Sequence, residues 1–163
     1  MMPRESGGLV IDPLVQALIA HVDSVFEGPN GDYAAVLEAL AGVSAAQALW
    51  KPAPAQNSIW QVVDHLTASK QWQIDILEQG HAASPVWTEP SGGEAAWQAA
   101  VDWLKDAHRR LTAVLERLPE EELLKVPAGK GPTLLELILS SGPAHDAHHG
   151  GQIDYLKGLH ASL

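Results

Sequence analysis

The chain has 163 residues, enough for one domain that buries a core without disulfides or a structural metal. It contains no cysteine, which excludes a disulfide framework, a thiolate zinc cluster and a catalytic thiol of its own. Twenty acidic residues against ten lysines and arginines give a formal net charge of −10, the wrong sign for binding phosphates or anionic lipid. We therefore expect a small-molecule substrate, and neither nucleic acid nor a membrane as a partner.

The N-terminal residues lack a basic segment followed by an apolar one, and no later apolar stretch approaches the roughly 20 residues that span a bilayer. These features favour a soluble, cytoplasmic protein. We divide the sequence into a tail, residues 1–10, and a single domain, residues 11–163.

The first helical pattern runs from about Ile11 to Phe26, with Asp12 as its N-cap and a proline at the first helical position. Residues 28–32 are rich in turn formers, and a second short pattern covers residues 34–40. We therefore expect the first helix to be broken.

The next long helix is predicted to begin near Ser58, where Gln61 completes a capping box, and to end before Gly80. The loop that follows, residues 80–93, contains Trp87 and is long enough to cover a pocket.

A third long helix is predicted from about Glu94 to Leu118, with apolar residues at steps of three and four. A fourth is predicted over residues 133–159, interrupted by Gly142 and Pro143. Because no alternating strand pattern is present, the sequence predicts an all-α protein, most simply a four-helix bundle with a broken first helix.

Three histidines are candidate metal ligands. His145 and His149 lie four residues apart and, at about 100° per residue, leave one face of the fourth helix one turn apart. His65 lies on the second long helix, where a mixed polar and aromatic set within about 40° of it on the helical wheel indicates a pocket: Gln61, Ser69 and Trp72. Three neutral imidazoles bind zinc, nickel or copper and leave positions open for water or substrate.

The spacing alone leaves other interpretations open. With eight histidines in the chain, a pair at any chosen spacing arises by chance in roughly a third of such sequences. The pair could instead be solvated or hydrogen-bonded, and His65 alone is typical of a core histidine. Gln152 falls at about −20° from His145 on the wheel and so shares the face of the two histidines, and His148 could be a ligand, a proton shuttle or a solvent-facing residue.

Residues 145–157 have the sequence His-Asp-Ala-His-His-Gly-Gly-Gln-Ile-Asp-Tyr-Leu-Lys. This segment resembles the closing motif of the DinB/YfiT-like superfamily, His-Asp-x-x-His-x-Gly-Gln-Ile. Residues 58–66, around His65, are similar to the family's second-helix ligand segment, and residues 26–29 and 40–44 also resemble the family. His148 stands where relatives often carry tyrosine, and Asp64 where small or apolar residues are usual.

The resemblance implies a four-helix bundle of variant connectivity, often a homodimer, whose divalent ion is held by His65, His145 and His149. Characterised relatives include thiol-dependent S-transferases and isomerases, and other members are described as metal-dependent hydrolases. We therefore expect a zinc or nickel ion, and an external low-molecular-weight thiol where the reaction needs one.

Two classes of function follow from these observations. In the first, the ion activates water or an external thiol, and the chain is a hydrolase or S-transferase with Gln152, Asp64 and His148 as candidate catalytic residues. In the second, the chain is a non-catalytic metal-binding or stress-related interaction bundle. An open coordination position beside a cleft favours the enzyme, whereas a site closed by protein favours the alternative.

Overall fold

The computed structural model describes residues 11–29, 31, 33–127 and 129–163, so the predicted tail, residues 1–10, lies outside the described residues. All regular secondary structure in this part of the chain is helical, which confirms the predicted all-α class. The helices are α1 (Pro13–Phe26), α2 (Val36–Leu40), α3 (Ala45–Leu49), α4 (Ile59–Gln79), α5 (Glu94–Leu115), α6 (Glu120–Leu123), α7 (Leu134–Ser141) and α8 (Pro143–Ala161).

The first helix begins as predicted, with Asp12 at the N-cap position and Pro13 at the first helical position. The Asp12 side chain, however, does not cap its own helix. Its Oδ2 accepts a hydrogen bond of 3.0 Å from the backbone N–H of Glu120, so it ties the start of α1 to the start of α6. The chain leaves α1 after Phe26 and resumes helical structure at Val36.

The capping box predicted for the second long helix is confirmed. The backbone N–H of Gln61 donates to the Ser58 hydroxyl at 3.2 Å, and the Ser58 N–H donates to Gln61 Oε1 at 3.0 Å. The helix ends at Gly80, whose φ of 77° is a left-handed conformation that glycine adopts without strain. These two signals fix both ends of α4.

The predicted interruption of the fourth helix lies at Gly142, which separates α7 from α8. A Cβ atom at Gly142 would lie 2.7 Å from the carbonyl oxygen of Ile138, so the close approach requires glycine here. Pro143 starts α8 without losing a helical hydrogen bond. The Gln73 side chain donates to the Ser141 carbonyl at 3.0 Å and so holds the break against α4.

The long helices α1, α4, α5 and α8 pack in a closed series, in which α4 contacts α5 and α8, and α1 contacts the same two helices. The predicted apolar face of α5 is buried along its length, including Trp97, Leu104 and Leu111. At Gly150, a Cβ would lie 3.1 Å from the Ala34 carbonyl oxygen, so α8 approaches the chain just before α2 very closely. None of the helices in the described part of the chain has both the length and the apolar character of a membrane-spanning segment.

Candidate metal centre

The three candidate histidines come together at one point between α4 and α8. Nε2 of His145 lies 3.1 Å from Nε2 of His65 and 3.1 Å from Nε2 of His149. All three nitrogens lie within 4.8 Å of one another, an arrangement that could hold a metal ion. A tetrahedral zinc with imidazole nitrogens at about 2.1 Å separates neighbouring ligand atoms by about 3.4 Å, close to these distances.

Hydrogen bonds between the three rings cannot account for both of the short Nε2–Nε2 distances. His149 Nδ1 donates to Gln152 Oε1 at 2.9 Å, so in the neutral ring His149 Nε2 carries only a lone pair. His145 Nε2 has either one proton or one lone pair and therefore satisfies His65 or His149, but not both. A cation accepts all three lone pairs at once, so the donor set fits a divalent ion.

The three imidazoles are neutral at pH 7 and so able to act as ligands. Burial first, and then the neighbouring His149 and His65, lower the pKa of His145 to about 4. Burial, followed by His149, lowers the pKa of His65. Burial also lowers the pKa of His149, against the opposing effect of its hydrogen bond to Gln152.

Trp87 covers one side of the cluster. Its ring stacks on His65 with the ring centroids 4.2 Å apart and the planes 7° from parallel. Two hydrogen bonds made by Thr88 hold the loop that carries Trp87 against α4. Thr88 Oγ1 donates to Oδ2 of the catalytic candidate Asp64 at 2.7 Å, and the Thr88 carbonyl accepts from Gln61 Nε2 at 2.9 Å. Lys51 pairs with Glu89 at 3.0 Å.

A cavity of about 300 Å³ opens beside the histidines. Its lining combines two of the three imidazoles with apolar and hydroxyl side chains: His65, His145, Ser69, Trp72, Ser84, Pro85 and Ser141. The wheel position of Ser69 and Trp72 near His65 had indicated a pocket there. Gln61, which lay on the same face, instead caps α4 and holds the loop.

The remaining candidates occupy different places. Gln152 orients His149, as a residue supporting a ligand would. His148 is exposed, and its ring lies edge-on to His149 with the centroids 4.9 Å apart. Asp64 lines a groove between α4 and α5, together with Ala100 and Trp103. Burial raises the pKa of Asp64, and the Thr88 hydroxyl opposes that rise.

The sequence interpretation missed a buried ion pair next to the histidine cluster. Lys70 Nζ lies 2.5 Å from Asp146 Oδ2, and both side chains are only 1% exposed. The ammonium also lies 4.5 Å from the centre of the Phe26 ring. The available signal was that Lys70 stands four residues from both Leu66 and Ile74, within the buried face of α4.

Comparison with known families agrees with this geometry. A model of the DinB superfamily matches residues 31–153, a segment that contains all three histidines. The chain belongs to the DinB superfamily. No curated protein and no solved structure matched the chain. The match confirms the family expected from the motifs around His65 and His145, and within this DinB chain the three motif histidines are those that converge.

Proposed function

We propose that this DinB-superfamily chain is a metal-dependent enzyme, a hydrolase or an S-transferase that uses an external thiol. The observation that carries the proposal is the convergence of three Nε2 atoms beside an open cavity. His65, His145 and His149 would hold a divalent ion, zinc or nickel. We also infer that the closed series of α1, α5, α4 and α8 forms a four-helix bundle around this site.

When bound, such an ion acts as a Lewis acid that lowers the pKa of water or of a thiol and supplies a nucleophile near neutral pH. The thiol would come from outside, because the chain contains no cysteine. The chain's own side chains keep the site ready for this chemistry. Gln152 fixes the His149 tautomer, so that Nε2 is the atom presented to the ion.

Trp87 also supports the site in this proposal. Because its ring stacks on His65, it holds that imidazole in place and excludes water from one face of the site. Asp64 and Gln61 act indirectly in this proposal, because they hydrogen-bond Thr88 in the loop that carries Trp87. Asp64 is therefore a positioning residue in this scheme, and His148, which is exposed, is available for proton exchange with solvent.

The cavity favours the enzyme over a purely structural metal site. A structural zinc site is closed by protein ligands, whereas a catalytic site keeps a position open. Here two of the three histidines form part of the wall of a 300 Å³ cavity. A small molecule in that cavity would lie against the ligand rings.

Elemental analysis of the purified protein tests the metal site. We expect about one divalent ion per chain in the wild type and a large loss in His149→Ala, because removing one of three ligands weakens binding strongly. The matched control is His21→Ala, which removes an exposed helical histidine and should leave the metal content unchanged. Equal metal content in His149→Ala and wild type would show that the three-histidine site is wrong.

Activity is tested on the same samples. Ester and amide hydrolysis, and conjugation of a low-molecular-weight thiol, should be measured with zinc-loaded and nickel-loaded protein. Turnover that disappears in His149→Ala supports the enzyme. Bound metal without turnover in either assay would favour the non-catalytic metal-binding bundle.

A further inference from the structure

The cavity beside the histidines has a chemical character that narrows the class of substrate. None of its described lining residues is Asp, Glu, Lys or Arg. Trp72 and Pro85 supply apolar surface, and the hydroxyls of Ser69, Ser84 and Ser141 supply polar groups that carry no charge. The wall is therefore uncharged except for what a bound ion would add.

The nearest buried charges are already neutralised by one another. Lys70 and Asp146 are the sequence neighbours of the lining residues Ser69 and His145, yet they form a 2.5 Å ion pair with both side chains 1% exposed. Neither is left to bind a charge in the cavity. A carboxylate or an ammonium group brought into this space would lose its hydration without gaining a protein counter-ion.

The cavity is also small. At about 300 Å³ it lies at the lower end of the range for ligand sites and corresponds to about ten water molecules. It has room for one compact group such as a substituted benzene ring. The flat ring of Trp72 and the ring of Pro85 offer apolar contact surfaces for such a group.

We propose that the cavity lined by Ser69, Trp72, Ser84, Pro85 and Ser141 binds the uncharged, compact, apolar body of the substrate, preferably an aromatic ring. The proposal rests on the proposed function, since it places this body against the metal-binding histidines His65 and His145. In a hydrolase this is the group next to the bond that is cleaved. In an S-transferase it is the body of the electrophile, and a thiol that carries several charges binds outside this cavity.

Three probes of nearly equal size and different charge test the preference: benzyl alcohol, benzoate and benzylamine. Binding to metal-free and to zinc-loaded protein is measured by saturation-transfer NMR on the benzyl signals and by the shift of the indole N–H resonances. In the metal-free protein we expect benzyl alcohol to bind at least about tenfold more tightly than either charged probe, because each ion must be desolvated without a partner, whereas a bound zinc ion would itself attract benzoate. Benzyl alcohol should shift the Trp72 resonance and leave that of Trp103 unchanged.

Matched variants locate the site. Trp72→Ala should abolish benzyl alcohol binding, whereas Trp103→Ala removes a tryptophan that is 68% exposed in a different groove and should not. Ser84→Asp places a carboxylate in the wall at an exposed loop position, which should not disturb folding. It should reverse the preference, with benzylamine the tightest of the three probes.

Benzoate or benzylamine binding as tightly as benzyl alcohol to the metal-free wild type would overturn the proposal, as would unchanged benzyl alcohol binding in Trp72→Ala. Zinc content is measured on every sample, so the two proposals fail separately. Zinc bound without binding of benzyl alcohol overturns the substrate class and leaves the metal site standing. A protein that does not bind zinc overturns the proposed function instead.

Discussion

The buried pair of Lys70 and Asp146 should couple α4 and α8 strongly. Both side chains are only 1% exposed, so solvent does not screen the charge left behind when one partner is removed. Such a loss costs about 3–5 kcal/mol of the free energy of unfolding. We expect the cost of Lys70→Met to lie near the upper end of this range, because the substitution removes the counter-ion of Asp146, a carboxyl whose pKa is already raised by burial.

Asp146→Asn should cost less than Lys70→Met. The ammonium of Lys70 keeps its contact with the Phe26 ring at 4.5 Å, and a cation–π interaction of this kind is worth about 0.5–2 kcal/mol. The double variant should lose less stability than the two single losses added together, because neither charge is then left unpaired. A coupling energy of at least about 2 kcal/mol is the expected result.

Urea denaturation followed by circular dichroism, with EDTA present, measures these free energies. The chelator matters because Asp146 neighbours His145, and bound metal would add its own stabilisation. The control is Lys105→Met, which breaks an exposed pair with Asp102 at 3.7 Å and should change stability by less than about 1 kcal/mol. Single losses below about 1 kcal/mol, or additive losses, would refute the argument.

Two further predictions concern stability elsewhere. Burial lowers the pKa of His108 to about 3 from 6.5, so the unfolded chain binds a proton there first, and stability is lost as pH falls from 6.5 towards 3. Between pH 7 and 5 the wild type should lose about 2 kcal/mol of its free energy of unfolding through this group, and His108→Gln should lack that loss when urea unfolding is measured across the same pH range. Equal dependence of stability on pH in the two proteins would contradict the prediction. Gly151→Ala, where nothing lies within 4 Å, should raise the thermal midpoint through helix propensity worth about 1 kcal/mol. Gly150→Ala, whose added Cβ would lie 3.1 Å from the Ala34 carbonyl oxygen, should have a clearly lower thermal midpoint than Gly151→Ala. Equal midpoints for the two variants would show that the backbone at Ala34 moves away without a measurable cost in stability.

The helices were largely predictable because their ends depend on local chemistry. Ser58 with Gln61, and Gly142 with Pro143, determine backbone hydrogen bonding within a few residues, and the structure confirms both boundaries. The end of α5 was predicted at Leu118, three residues beyond its observed end at Leu115. The final residues before Pro119 form a turn that periodicity does not distinguish from a helix.

The candidate site was predictable only in part. Spacing placed His145 and His149 on one face, and family motifs added His65, but contacts between distant segments leave little trace in sequence. The stacking of Trp87 on His65 depends on how a loop folds back. The sequence also does not separate two adjacent glycines: Gly150 lies at a close approach, whereas its neighbour Gly151 is exposed with open space around it.

The break at Gly142 places two of the clustered histidines and part of the cavity wall on separate helices. Two of the three clustered histidines stand on α8, while Ser141 in the cavity wall belongs to α7, and Ser84 and Pro85 belong to the loop after α4. Substitutions in α7 or that loop can therefore reshape the cavity while the spacing of His145 and His149 stays constant. The cavity wall is thus the part that substitutions can vary, and the histidine cluster is the part that stays fixed.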